Sequence, residues 1–267
     1  MPNQTRLPDN EESSSKMSFF EHLEELRRHI LYSVGALAVG AGVGLYYANR
    51  IYQWLAVPML EALRKEKMAV QLVFTDPAGP VKLYITVGLY AGAVIALPFI
   101  LWQLWQFVAP GLYKHERRVV VPFVFFSTVL FLAGAIFAFL VLLPYTLRFL
   151  VVIGQPFQPM ISINAYYDLA IIILFGTGLI FELPIVIFFL SLIGVVTPGF
   201  LWRNFRYAVL VIALVAAAVT PTTDIFTMCL FMVPMMLLYL VSIGVSYFVV
   251  RRKRRAAPPR RAAEPAK

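Results

Sequence analysis

The chain has few charged residues and a single cysteine, and both shortages narrow the class of protein. Asp, Glu, Lys and Arg make up 14% of its 267 residues, against roughly 25% in soluble domains. The lone Cys229 cannot form an intrachain disulfide, and its apolar surroundings are typical of a small buried hydrophobic residue. These shortages exclude a disulfide-stapled scaffold and a disordered chain, and they argue against a water-soluble enzyme.

The sequence also lacks the motifs of common catalytic and metal-binding sites. It contains no phosphate-binding loop, no dinucleotide fingerprint and no nucleophile–base pair, and its three histidines lack metal-ligand spacing. We therefore expect no enzymatic activity, no metal and no cofactor. The net charge of +9 does not predict nucleic-acid binding, because the basic residues cluster beside apolar runs, where membrane topology accounts for them.

Long apolar runs dominate the remainder of the sequence. Hydrophobic residues make up 60% of the chain, and its mean hydropathy is +0.78. A helix needs about 20 apolar residues to cross the hydrocarbon core of a bilayer. Runs without Asp, Glu, Lys or Arg, one of them interrupted only by Glu182, therefore predict an all-α membrane protein with six transmembrane helices. The six runs are residues 29–49, 83–113, 119–147, 169–202, 207–223 and 225–250.

The fifth run is short, and several runs contain proline. Residues 207–223 would span about 25 Å, less than a core of about 30 Å. They form either a short crossing or half of a re-entrant hairpin, and the basic end after the sixth run favours full crossing. Proline should kink or end the helices that contain it, which predicts curved and splayed helices. The prolines are Pro98, Pro144, Pro184 and Pro234.

The distribution of Lys and Arg predicts the orientation and the division of the chain. Seventeen of the 23 Lys and Arg residues fall on the side that carries both termini, so both termini should be cytoplasmic. Residues 1–17 are polar and lack the apolar region of a signal peptide, so we expect a disordered cytoplasmic tail. Residues 18–250 form the predicted membrane domain, and 251–267 form a basic cytoplasmic tail suited to anionic lipid.

Two cytoplasmic segments carry candidate binding residues. Residues 18–29, SFFEHLEELRRH, begin with a capping-box pattern and predict an amphipathic helix that leads into the first span. There are two interpretations of its charged residues. They form a solvated face of the helix, or Glu25 binds a cationic ligand. In residues 107–118, FVAPGLYKHERR, the one acid is Glu116. Glu116 either forms internal salt bridges or pairs with an arginine of a partner, since a carboxylate can bind a guanidinium bidentately.

Two further acids stand out in or beside the apolar runs. Glu182, in the segment FELP of residues 181–184, lies inside a predicted span, where a carboxylate is costly and usually functional. Asp224, which follows TPTT at residues 220–223, can cap the start of the last helix.

Together these segments resemble the TatC family, the multispanning subunit of the twin-arginine protein translocase. The resemblance rests on HLEELR (22–27), residues 107–118, FELP (181–184) and TP…D (220–224), which occur in that order between residues 19 and 250. It implies a curved, glove-like six-helix wall with short fifth and sixth helices. It also implies a prokaryotic cytoplasmic membrane protein that binds the twin-arginine signal peptides of folded precursors, associates with itself, and assembles with TatA and TatB. Transport in this family is driven by the proton-motive force.

The resemblance assigns roles to residues at matching positions. Glu25 and Glu116 would contact the arginine pair, and Glu182 would be the buried acid of the fourth helix. Pro58 and Asp224 would match structural positions on the outer face. Residues supporting the signal-peptide site would be Arg27, Phe107, Pro110, Leu112, Lys114 and Arg118. The chain departs from the family pattern at His29, where a second basic residue is common.

Three other functions compete with this hypothesis. A small-solute secondary transporter would use Glu182 as its coupling acid, but it should show several convergent acids or an internal repeat. A membrane enzyme would need a catalytic constellation. A lipid-binding scaffold would explain the basic tail but not the segments that carry Glu25 and Glu116.

Overall fold

The computed structural model describes residues 18–68, 72–108, 120–154, 156, 160–220 and 224–256, and these residues are almost entirely helical. A π-helical turn, Ala138–Leu142, joins the third and fourth helices. The α-helices are α1 (Ser18–Lys65), α2 (Gly79–Val108), α3 (Val120–Phe137), α4 (Leu143–Gly154), α5 (Ile163–Phe181), α6 (Leu183–Leu192), α7 (Pro198–Arg203), α8 (Phe205–Val219) and α9 (Ile225–Ala256).

Five helical segments are long and apolar enough to cross a membrane. They are Leu23–Lys65, Gly79–Phe107, Val121–Gly154, Ile163–Leu192 and Ile225–Arg251, and a shorter apolar helix covers Phe205–Val219. Each of the six apolar runs in the sequence overlaps one of these six segments, and the fifth run overlaps the short one, as expected. The all-α membrane class is confirmed.

The first helix is much longer than the sequence predicted. The apolar run predicted a first span over residues 29–49, but α1 is 48 residues long and continues to Lys65. That expectation was wrong because Arg50 marked only the end of the apolar run. The residues beyond it still bury a helical stripe that includes Leu55, Met59 and Leu63.

Proline acts differently at different positions. Pro184 coincides with a break between α5 and α6, and Pro144 follows the π-helical turn. Helices α2 and α9, by contrast, run through Pro98 and Pro234. Boundaries between α-helical segments therefore fall beside Pro144 and Pro184, as the sequence predicted. Pro98 and Pro234 do not end the helices that contain them.

Helices α1 and α2 share the largest interface in the described part of the chain, and glycines make it unusually close. A Cβ atom on Gly44 would lie 2.1 Å from the carbonyl oxygen of Gly88, and one on Gly40 would lie 2.4 Å from that of Gly92. The two backbones therefore touch directly, as in GxxxG contacts of membrane helices. These pairs also show that the helices are antiparallel and fix their register.

A second glycine contact joins α3 to α5. A Cβ on Gly134 would lie 2.7 Å from the ring of Phe181, and one on Gly178 would lie 2.8 Å from the ring of Phe131. Each aromatic ring thus fills the space above the opposite helix's glycine. This reciprocal packing holds α3 against the end of α5, where Glu182 follows.

Hydrogen bonds tie the N-terminal end of α5 to the extended part of α1. The Tyr167 hydroxyl donates to the carbonyl of Tyr52 at 2.6 Å, and the Tyr166 hydroxyl donates to that of Leu55. Both tyrosine side chains are buried. The C-terminal half of α1 is therefore anchored in the core, which leaves its N-terminal end as the less constrained part.

Candidate functional site

The first predicted binding segment, residues 18–29, contacts the end of α2 through His29. The Nδ1 atom of His29 lies 2.6 Å from Oε1 of Gln103, so Nδ1 donates to the amide oxygen. The His29 ring also meets the ring of Phe107 edge to face, with centroids 6.2 Å apart. The structure therefore places the start of the second motif beside the first.

Glu25 and Arg27 lie close to this contact and face solvent. Glu25 is one helical turn before His29 on α1, and both Glu25 and Arg27 are exposed. The neighbouring Arg28 donates from Nε to the Tyr32 hydroxyl at 3.3 Å, with its guanidinium 5.5 Å from the centre of the ring. The carboxylate of Glu25 is thus accessible to a cationic ligand.

Aromatic packing holds together the end of α2 and the start of α3, the two helices on either side of the second motif. The Trp105 ring at the end of α2 lies 4.2 Å from that of Phe123 in α3 and 5.0 Å from that of Phe189 in α6, measured between centroids. The cluster lies at the end of α2 and the start of α3, which flank residues 109–119 in the chain. The other predicted binding residues fall in that segment and lie outside the described residues: Pro110, Leu112, Lys114, Glu116 and Arg118.

Glu182 occupies the joint between α5 and α6. Proline at position 184 has no amide hydrogen, and its ring would clash with the carbonyl four residues earlier, so the regular helix is interrupted there. The Ser127 hydroxyl of α3 donates to Oε2 of Glu182. The other oxygen, Oε1, is buried and has no hydrogen-bond partner among the described residues. The carboxyl group is therefore only half satisfied.

The two predicted outer-face residues occupy defined structural positions. Pro58 is buried within α1 and lines a cleft of about 230 Å³ that also includes Glu61, Tyr145 and Arg148. Asp224 precedes α9, and its Oδ1 accepts a hydrogen bond from the amide of Thr227 at 2.7 Å. This is the capping geometry that the sequence suggested for Asp224.

A separate groove lies far from the two predicted binding segments. It has a volume of about 340 Å³ and is apolar, with residues of α1, α2, α3 and α5 around it, Trp54 and Phe139 among them. Along α1, Trp54 is about 37 Å from His29, so the groove is not part of the candidate site. Among the described residues there is no group of three or more His, Cys, Asp or Glu that could hold a metal ion.

Comparison with known proteins identifies the family. The model of the family "Sec-independent protein translocase protein (TatC)" matches residues 21–234. A TatC of Koribacter versatilis is 46% identical over 251 residues, which cover 93% of each chain. A TatC of Aquifex aeolicus is 33% identical over 241 residues, which cover 89% of this chain and 98% of the relative.

The chain belongs to the TatC family. A crystal structure described as the twin-arginine translocase receptor TatC has a TM-score of 0.76 and 33% identity, with 86% of this chain and all of that chain covered. The helices described above therefore have the arrangement of the TatC fold. As a TatC-family member with several membrane-length apolar helices, the protein is a multi-pass protein of a prokaryotic inner membrane.

Sequence reasoning missed two polar partners within this TatC fold. Gln103 and Ser127 are buried in apolar helices, and each bonds a residue that the sequence had singled out, His29 and Glu182 respectively. A polar side chain inside an apolar run is the signal that could have marked them. Which partner each one meets depends on helix register, which the sequence reading did not establish.

The half-satisfied carboxyl group gives a stability prediction. Ser127→Ala should lower the free energy of unfolding by about 1–3 kcal/mol, because it removes the one hydrogen-bond donor to Glu182 among the described residues. The double variant Ser127→Ala/Glu182→Met should recover most of that loss, because it also removes the buried carboxyl group. Thermal unfolding of the purified protein in detergent measures both. If the double variant lost as much stability as Ser127→Ala, or more, the two residues would not form a coupled pair.

Proposed function

We propose that the protein is the receptor and core subunit of the twin-arginine translocase and binds twin-arginine signal peptides on folded precursors. The observation that carries this proposal is the contact of His29 with Gln103 and Phe107. It joins the helix that carries Glu25 to the end of α2, from which the segment containing Glu116 begins. The similar crystal structure is that of a translocase receptor, which supports the same function for this chain.

The chemistry of an arginine pair fits two carboxylates at this end of the molecule. Each guanidinium presents a planar fork of donors that a carboxylate accepts bidentately, whereas a lysine ammonium does not match that geometry. We assign one arginine contact to Glu25 and the other to Glu116. Residues of the two motifs that support this site are Arg27, Phe107, Pro110, Leu112, Lys114 and Arg118.

The proposed topology has six spans and both termini in the cytoplasm. The short α8, Phe205–Val219, is the fifth crossing in this proposal, and a locally thinned bilayer would accommodate it. Residues 1–17 form the cytoplasmic N-terminal tail, 18–250 the membrane domain, and 251–267 the basic cytoplasmic tail. The excess of Lys and Arg on the side of the termini supports this orientation.

The proposed partners are TatA, TatB and further copies of the chain, with transport driven by the proton-motive force and without catalysis by this subunit. We assign Glu182 a polar contact with a partner helix within the membrane, because one of its oxygens lacks a hydrogen-bond partner among the described residues. Family membership favours this role over that of a coupling acid in a small-solute transporter. Pro58 and Asp224 act as structural residues of the outer face.

Export in cells tests the proposed function. Glu116→Lys should abolish export of a twin-arginine reporter, because it places a cation where a signal-peptide arginine binds, while the amount of inserted protein stays unchanged. Export is read as the fraction of reporter outside the cytoplasmic membrane, with a Lys-Lys reporter as the negative control. Normal export of the twin-arginine reporter by Glu116→Lys would refute the assigned site.

A further inference from the structure

The cytoplasmic end of α1 is held by few contacts. None of the side chains from Leu23 to Val39 is buried, and the first buried position from Leu23 onward is Gly40, in the glycine contact with α2. Glu25 lies fifteen positions before Gly40, which is about 22 Å along the helix. A tilt of about 10° at the glycine contact would therefore move Glu25 by about 4 Å.

The His29–Gln103 hydrogen bond lies between the glycine contact and Glu25, at the matching position on both helices. His29 is eleven residues before Gly40, and Gln103 is eleven residues after Gly92, so the pair keeps the antiparallel register that the glycines set. Gln103 is 7% exposed, and its amide oxygen accepts from the His29 ring at 2.6 Å. A buried amide that lost this partner would be left unsatisfied.

We propose that the hydrogen bond from His29 to Gln103 positions the turn that carries Glu25 and Arg27 for binding the arginine pair of a signal peptide. His29 is thus a positioning residue, and its role rests on the proposed function of Glu25. Binding sites need their groups held within about 0.5 Å and 10–20°. The glycine contact alone leaves the segment of α1 between Glu25 and Gly40 unattached to α2, and the hydrogen bond fixes that segment against α2.

The experiment titrates the full-length protein in lipid nanodiscs with a fluorescent twin-arginine peptide and reads half-saturation and plateau separately. His29→Ala and Gln103→Met should each weaken half-saturation by about tenfold, at an unchanged plateau, because the positioning bond is lost. Gln103→Glu keeps an acceptor and should stay within about twofold of the unchanged protein. The exchanged pair His29→Gln/Gln103→His should restore binding to the same range.

Two results would overturn the inference. If His29→Ala binds like the unchanged protein, or if Gln103→Glu binds as weakly as Gln103→Met, the bond does not position the site. Glu25→Gln and a Lys-Lys peptide, titrated alongside, distinguish this failure from failure of the proposed function. If both controls weaken binding and His29→Ala does not, only the inference about His29 is overturned. If neither control weakens binding, the proposed function and the inference are overturned together.

Discussion

Gly44→Leu should prevent formation of the folded protein. The Cβ atom alone would lie 2.1 Å from the carbonyl oxygen of Gly88 and 2.7 Å from the amide nitrogen of Gly92. Both contacts are with backbone, which cannot rotate away as a side chain can. The α1–α2 interface would have to separate, at a cost of about 3 kcal/mol or more. The measurement is the monodisperse fraction on size-exclusion chromatography in detergent, together with the thermal unfolding midpoint.

Gly42→Leu is the matched control. It makes the same chemical change two residues earlier on the same helix, and a Cβ at Gly42 meets no atom within 4 Å. Both variants gain the same helix propensity from losing a glycine, so that gain cancels in the comparison. We expect Gly42→Leu to remain monodisperse. If the two variants were equally stable, the backbone contact at Gly44 would be absent in the protein.

Glu25→Lys should reduce the affinity for a twin-arginine peptide by about 100-fold or more. A hydrogen bond to a charged group contributes about 1.5–3 kcal/mol, and reversing the charge replaces attraction by repulsion. Because Glu25 is exposed, the substitution should leave folding and membrane insertion unchanged. The measurement is peptide titration in nanodiscs, with the amount of inserted protein measured in the same preparation.

Glu24→Lys provides the matched control for that charge reversal. Glu24 is also exposed and is adjacent in sequence, but it points about 100° away around the helix and has no assigned contact with the signal peptide. We expect its affinity to remain within about threefold of that of the unchanged protein. An equal loss in both variants would show that net charge, rather than a contact by Glu25, determines peptide binding.

The sequence predicted the helical class well, because a bilayer imposes a simple requirement. Backbone groups in the hydrocarbon core must be satisfied internally, so each long apolar run has to become a helix. The runs at 119–147 and 225–250 lie on α3–α4 and on α9 respectively. The extension of α1 to Lys65 could not be predicted from hydropathy alone, because residues after Arg50 pack against protein and retain charged residues such as Glu61 and Lys65.

The packing between helices was harder to predict than the helices themselves. Two small-residue pairs, Gly40 with Gly44 and Gly88 with Gly92, determine the register of α1 against α2. That register then places His29 at Gln103. The spacing of four within each pair is visible in the sequence, but the choice of partner helix depends on tertiary packing. For Glu182 the sequence indicated a buried acid, whereas its partner Ser127 came only from the fold.

Site-specific photocrosslinking at Phe107 and Leu112 in native membranes tests the receptor function most directly. A photoreactive phenylalanine analogue at Phe107 stays beside His29, and the second probe lies within the segment that carries Glu116. We expect a crosslink to a twin-arginine signal peptide and none to its Lys-Lys version. Equal crosslinking to both would indicate a general apolar contact. No crosslink to either, in correctly inserted protein, would contradict the receptor function.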